Sequence, residues 1–304
     1  SYGLLFEQGG SVAILADYDV IDPAALEDAV YFGPDSVTRL GALSITSAGP
    51  VSYVNEGIVN VGDFSLDAPD YVFSTLATPT VLGTTTFDNL TYFPAANIVL
   101  QSNFVGNLGP ATFATSGDIF VGDVTTNGDL TIQAGGTITA GQINAGGLAD
   151  IGAEGAIDLD GVNAASSLFI ASQADISVSE SLTSGGSIVI QTGGALSAGI
   201  ISSTFDTLIS ALGGISLVQL STGSFASLSS DEDISVGILL SDFYNIQSQG
   251  SVFVEGEWNG VDGFIVANDL VIEPDGDITT SQRLTLQSTN SAGTFMGTAA
   301  DGTT

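Results

Sequence analysis

The feature that most limits what this chain can fold into is a short phrase written several times over between residues 117 and 204. One copy reads Gly128-Asp129-Leu130-Thr131-Ile132-Gln133-Ala134-Gly135-Gly136, followed by Ile138 and Ile143. Later copies begin at Gly146-Gly147-Leu148 and at Ser187-Ile188-Val189-Ile190-Gln191-Thr192-Gly193-Gly194. Apolar residues alternate within each copy, and Gly, Asn, Asp or Ser stand at its ends, which is the signal of short strands joined by tight corners. Aligned on Leu130, Leu148, Leu168, Ile188 and Leu208, the copies step by 18, 20, 20 and 20 residues. A unit of about 20 residues is too small to bury its own apolar face, so it must stack on its neighbours.

Two other repeats of similar length do not fit. A leucine-rich repeat needs a Leu-x-x-Leu-x-Leu framework, and a calcium-binding roll needs Gly-Gly-x-Gly-x-Asp nonapeptides. The Gly-Gly pairs at 135–136, 146–147, 185–186, 193–194 and 213–214 do not continue that way. The expectation is an all-β parallel β-helix with coils of about 19–20 residues. Inward residues should form ladders: Leu130, Leu148, Leu168 and Ile188 in one, Ile138, Ile157, Ile176 and Leu196 in another. Thr131, Thr139, Asp158 and Ser177 should face water, and glycine or asparagine at the corners should supply positive φ.

Along the chain, the whole of 1–304 reads as one elongated β-helix. Residues 1–20 suit a first coil. Residues 21–40 read as an insertion, with a short helix over 22–30 capped by Asp22 and Pro23. Residues 41–62 return to coils. The stretch 63–116 is irregular and aromatic-rich, suggesting long loops or strands packed outside the main coil. Regular coils are expected over 117–297 and a tail over 298–304. The small polar end of the chain looks like a poor cap for open strand edges. The chain is therefore expected to be a segment of a longer protein, or to self-associate by end-to-end or lateral stacking.

Charge narrows the function. Two cations, Arg39 and Arg283, stand against 34 Asp plus Glu, for a formal net charge of −32. Such a chain should repel nucleic acid and anionic membranes. There is no apolar run of roughly 18 residues that could span a bilayer. Cysteine and histidine are absent and both cations are arginine. That removes cysteine nucleophiles, histidine bases, lysine Schiff bases and thiolate or imidazole metal sites from consideration. Trypsin has two cleavage points, after Arg39 and Arg283.

Between 117 and 240 the phrasing resembles the haemagglutinin repeats of filamentous haemagglutinin-like exoproteins and autotransporter passengers. The residues that carry the resemblance are 128–136, 141–148 and 187–194. It implies a right-handed parallel β-helix that is exported, displayed at a bacterial surface and used in adhesion or matrix formation. The Asn-Pro-Asn-Gly-type signature of that family's secretion domain is absent from the chain.

The expected function is a non-catalytic structural or adhesive rod of a cell-surface or extracellular filament, with glycans or other surface proteins as candidate partners. No cofactor is expected. The one metal reading is Ca²⁺ on the turn-placed acids Asp231, Asp233, Asp275 and Asp277, since Ca²⁺ accepts carboxylates in flexible geometry. Trp258 and Tyr244, in turn-like surroundings, are candidates for surface contact with a sugar ring. The alternative is a carbohydrate-binding or carbohydrate-cleaving β-helix. A glycosidase asks only for two carboxylates about 5–10 Å apart, and Asp158/Asp160, Asp231/Asp233, Glu255/Glu257 and Asp275/Asp277 offer such pairs. Specific contacts are expected at 21–40, 63–116 and 243–263.

Overall fold

The computed structural model describes residues 11–16, 29–34, 36–47, 52–67, 82–92, 98–106 and 110–289. Among these the secondary structure is strand, turn and bend, and every strand pairing is parallel. The fold is a β-solenoid of about 11 turns. By their internal contacts the residues form two compact units, Ser1–Gly155 and Ala156–Thr304.

The first unit holds β1 (Ser11–Ala16), β2 (Ala29–Phe32), β3 (Val37–Ser47), β4 (Ser52–Asn55), β5 (Ile58–Asp67), β6 (Thr84–Tyr92), β7 (Ile98–Gln101), β8 (Asn103–Gly106), β9 (Ala111–Thr115), β10 (Ile119–Val121), β11 (Val124–Thr126), β12 (Leu130–Ala134), β13 (Ile138–Ala145) and β14 (Ala149–Ala153). The second holds β15 (Ile157–Ala164), β16 (Leu168–Ser172), β17 (Ile176–Ser184), β18 (Ile188–Thr192), β19 (Leu196–Ser203), β20 (Thr207–Ala211), β21 (Ile215–Thr222), β22 (Phe225–Ser230), β23 (Ile234–Leu240), β24 (Phe243–Ser248), β25 (Ser251–Val254), β26 (Glu257–Ala267), β27 (Asp269–Ile272) and β28 (Asp277–Ser288).

From β15 to β24 of the second unit a longer strand alternates with a shorter one, and each pairs with its equivalent one coil later, while β23 is followed in its column by β25 and the start of β26. The ladder Ile157–Ile176–Leu196–Ile215–Ile234–Val252 runs in register through β15, β17, β19, β21, β23 and β25. Its members are buried and their outward neighbours are not. The period is thus 18–20 residues, and side-chain alternation puts one apolar ladder on each inward position. Each buried ladder side chain contributes about 1.5–3 kcal/mol. Ile157, Ile176 and Leu196 stand where the repeat predicts. Thr131 and Thr139 are half-buried, and Asp158 and Ser177 are exposed.

The alignment on Leu130, Leu148, Leu168, Ile188 and Leu208 slips by one residue in two places. Leu130 pairs with Ala149, not Leu148, and Ile188 pairs with Thr207, not Leu208. Ala149 and Thr207 are fully buried, while Leu148 is half-buried and Leu208 lies on the surface. An alignment that prefers the larger apolar residue picks the wrong neighbour, and a one-residue slip turns a strand inside out.

The first unit departs from the simple repeat. Val59 on β5 stacks on Thr85 of β6, which stacks on Phe104 of β8. In the neighbouring column β4 pairs directly with β7, Tyr53 beside Leu100. One column therefore carries a strand that the other lacks. Among the described side chains of this stretch Phe64, Phe87, Phe104 and Phe113 face inward, contrary to the expectation of strands outside the coil, with Phe64 and Phe104 beside Tyr53. Phe104 alone touches four rings, with centroids 5.9–6.5 Å away. Large rings fill the interior where β6 enters.

The helix expected over 22–30 falls outside the described residues except at Ala29 and Val30, which belong to β2. The expected first coil is described only at β1, and the tail over 298–304 lies outside the described residues. Residues 243–263, where specific contacts are expected, are strands β24, β25 and the start of β26.

Candidate functional site

The carboxylates are the most abundant charged groups on the chain, 34 against two arginines, and many stand at coil corners. Five of them make the same contact. Asp118, Asp123, Asp129, Asp175 and Asp233 each accept, through Oδ1, the backbone N–H of a residue one coil later: Thr137, Gln142, Leu148, Ala195 and Ser251, at 2.7–2.9 Å. Asn103 does the same for the N–H of Asp123 at 2.9 Å. In all six cases the donor follows a glycine: Gly136, Gly141, Gly147, Gly194, Gly250 and Gly122. A Cβ on any of these glycines would land on the accepting side-chain oxygen, closer than real Cβ atoms come. None of the six is left-handed. The corner glycines are there for close approach, not for the positive φ expected of them. Asx in one coil thus pairs with Gly-X in the next, 18–20 residues on, a spacing that no local motif marks.

This clasp accounts for one candidate calcium ligand, Asp233. Asp231 accepts Gln249 Nε2 at 2.8 Å, and Asp277 accepts Thr279 Oγ1 at 3.3 Å. Asp275 is exposed in the turn where the Gly276 N–H reaches the Glu273 carbonyl at 2.8 Å. Among the described residues no three acidic side chains converge as a metal site. Of the paired carboxylates, Glu257 on β26 stands in register with Asp277 on β28. Arg283 is exposed on β28, in register with Asp262, and Arg39 is exposed on β3 in the other unit.

Trp258 and Tyr244, expected at the surface, are corrected to the core, at 0% and 2% exposure. Trp258 occupies an inward position of β26 between Leu239 and Ile278 in register, and its Nε1 donates to the Val236 carbonyl at 3.1 Å. Tyr244 meets it edge-on, with centroids 6.1 Å apart. Its ring lies over Gly263, where a Cβ would strike the hydroxyl. That hydroxyl is buried with no hydrogen-bond partner. Burial pushes it up to about 12 from the usual 10.0. Neither ring is presented for stacking on a sugar.

A second buried tyrosine lies in the first unit, where the extra strand enters. Tyr53 Oη and Thr85 Oγ1 are 2.7 Å apart, and Thr85 Oγ1 and Ser102 Oγ are 2.8 Å apart. Asn55 Nδ2 donates to both Thr85 and Ser102, and Asn55 Oδ1 accepts the Gly57 N–H at 2.9 Å. All four side chains are fully buried. Burial holds the Tyr53 hydroxyl far above the usual tyrosine range, partly offset by its hydrogen bond to Thr85. The network satisfies polar groups at a place where one strand column runs ahead of the other.

Strands β16, β18, β19, β20, β21, β22, β23 and β24 contain no Asp, Glu, Lys or Arg, and residues 187–230 hold one charged residue, Asp206. Compared with protein-family models, curated proteins and solved structures, the chain matches none of them significantly.

Proposed function

We propose that the chain is a non-catalytic structural and adhesive element of a bacterial cell-surface or extracellular filament, adhesin or matrix. The observation that carries this reading is the use made of the carboxylates. Asp118, Asp123, Asp129, Asp175 and Asp233 hold the backbone of the next coil. An acid committed to such a bond is a clasp between coils, not a proton carrier. The repeat's resemblance to filamentous haemagglutinin-like exoproteins supports the same reading, and self-association and binding of glycans or surface proteins belong to it. Immunogold imaging of the native cells is the test. Label on surface filaments, lost when the coding segment is deleted, is the expected result, and purely intracellular label would overturn it.

A second reading, cleavage of glycans by paired carboxylates, is supported by the register of Glu257 with Asp277. Parallel neighbours stand about 4.8 Å apart, near the separation used by retaining glycosidases. Hydrolysis of neutral or acidic glycans that disappears in Glu257→Gln would favour it over the structural role.

A further inference from the structure

Two of the chain's asparagines stand directly before glycine, Asn127-Gly128 and Asn259-Gly260. Asparagine is a thermolabile side chain. A following glycine makes it more so, because without a Cβ the glycine nitrogen can approach the neighbouring carboxamide. The structure treats the two pairs differently. Asn259 lies inside β26, between Leu240 of β23 and Thr279 of β28 in register, and its carbonyl accepts the Ser241 N–H at 3.1 Å. Its Nδ2 donates to Glu257 Oε1 at 2.8 Å. Extended dihedrals hold the next nitrogen out of line with the side chain. Asn127 and Gly128 instead form the bend between β11 and β12, outside both strands, and Asn127 is exposed. An exposed bend has only to fluctuate locally for the nitrogen to reach the carboxamide, whereas Asn259 has to leave a sheet paired on both sides.

The same bend has no room for a longer chain. The Asn127 N–H donates to the Gly106 carbonyl at 3.1 Å, and the Gly146 N–H to the Thr126 carbonyl at 2.8 Å. The Gly128 carbonyl accepts the Gly147 N–H at 3.1 Å and the Thr126 hydroxyl at 2.9 Å. Asp129 clasps the Leu148 N–H at 2.8 Å. A Cβ on Gly146 would come within 2.5 Å of the Asn127 carbonyl oxygen, and one on Gly147 within 2.1 Å of Asp129 Oδ1. We infer that Asn127 is a site of spontaneous deamidation whose isoaspartate product opens this corner. The inference goes beyond the cell-surface reading and does not rest on it.

The chemistry needs only water. The Gly128 nitrogen bonds to Asn127 Cγ, the Cγ–Nδ2 bond breaks, and ammonia leaves with the proton that Gly128 gives up. Water then hydrolyses one of the two carbonyl–nitrogen bonds of the cyclic imide. One opening gives aspartate, and the other gives isoaspartate. Nothing is oxidised or reduced. Either product adds a negative charge to the corner. Isoaspartate also runs the main chain through Cβ and Cγ, which lengthens it by a methylene. The clasp and the bonds at Gly146 and Gly147 fix both sides of the bend, so that extra length has to break some of them.

Ageing the whole folded chain at mildly acidic and mildly alkaline pH tests the inference. Peptic peptides are read by mass spectrometry, with electron-transfer fragmentation to separate aspartate from isoaspartate. Asn127 should convert to both, faster at alkaline pH because Gly128 must lose a proton, while Asn259 keeps its amide. In urea the two should convert at similar rates. Hydrogen exchange on the aged chain should show lost protection at Gly146, Gly147 and Leu148. Asn127→Asp supplies the charge without the methylene, and when fresh it should keep that protection. Gly128→Ala should abolish both the conversion and the loss of protection over the same period. Asn127→Gln, which closes the imide far more slowly, takes its place if circular dichroism melts show that Gly128→Ala does not fold. An Asn127 that keeps its amide in the folded chain but loses it in urea overturns the inference, as does faster conversion at Asn259. Isoaspartate at 127 with unchanged exchange at 146–148 overturns the opening of the corner.

Discussion

Among the described residues the two units bury a tyrosine each, and the two are handled in opposite ways. Tyr53 sits at an irregular place, where β6 enters one strand column and the other has no counterpart. There the sequence supplies Asn55, Thr85 and Ser102, and the hydroxyl is bonded. Tyr244 sits in a regular stack, between Ala226 and Gly263 in register, and its hydroxyl has no partner. The regular coils also bury hydroxyls, such as Ser184, Thr192, Ser203 and Thr222, but these reach backbone carbonyls at the coil corners. The in-register neighbours of Tyr244, Ala226 and Gly263, have no side-chain polar group to offer its hydroxyl.

The largest effect that would break this contrast is at Phe104. Phe104→Ala removes the ring that touches four others and should cost about 3–5 kcal/mol. Ile190→Ala, in a regular ladder of the second unit, should cost about 2–4 kcal/mol. Urea titrations give both values. Hydrogen exchange should show the Phe104 loss spread over β4 to β9. If it stays local, the aromatic cluster is not a cooperative core.

Next comes the network. Asn55→Ala strands the Gly57 N–H and two hydroxyl partners in the core, an expected loss of about 2–3 kcal/mol. At the corners, Gly194→Ala should cost about 1–3 kcal/mol, because its Cβ meets backbone atoms of Ala174 and Asp175 as well as the Asp175 carboxylate. Asp175→Ala should cost less, since the bond it loses is exposed. Removing Asp175 should rescue only part of the Gly194→Ala loss, and full rescue in the double variant would mean that the carboxylate alone demands glycine there.

The smallest effects sharpen the comparison most. Tyr53→Phe should destabilise by about 1–2 kcal/mol, whereas Tyr244→Phe should be neutral or stabilising by up to about 1 kcal/mol. Alkaline pH reports on the same pair. Both folded hydroxyls are raised above the unfolded value of 10.0, so the unfolded chain sheds those protons first. Their stabilising effect is complete below pH 10 and is lost as pH rises, through about 12 for Tyr244 and higher for Tyr53. Unfolding free energy should fall by about 1.4 kcal/mol per pH unit per tyrosine in that window. The double Phe variant should flatten the fall, and an unchanged slope would show that other groups govern alkaline unfolding.

Much of the architecture was legible because a solenoid repeats its own physics. Ile157, Ile176 and Leu196 were found from spacing alone. The errors have a shared cause. Leu148 and Leu208 outrank Ala149 and Thr207 in hydrophobicity, yet the smaller residues point inward. Trp258, between Glu257 and Asn259 and near two glycines, has the surroundings of a turn, but its position in β26 buries it. The aromatic stretch departs from the period because an extra strand enters there, which no local pattern announces. The clasping aspartates read as a reservoir of surface charge, since their partners are backbone groups a full coil away.

Within the second unit each coil from β15 to β24 lies in register on the one before it. The natural chain has no cysteine, so paired cysteines can measure this directly. Ser177 and Ser197 face outward on adjacent coils and are in register, as are Ser197 and Ser216. Neighbours about 4.8 Å apart lie within the Cα separation that a disulfide spans. Ser177→Cys with Ser197→Cys should oxidise to an intramolecular disulfide nearly completely under mild conditions, while Ser177→Cys with Ser216→Cys, two coils apart, should not. Equal oxidation of the two pairs, or none in either, would contradict the stacked-coil account.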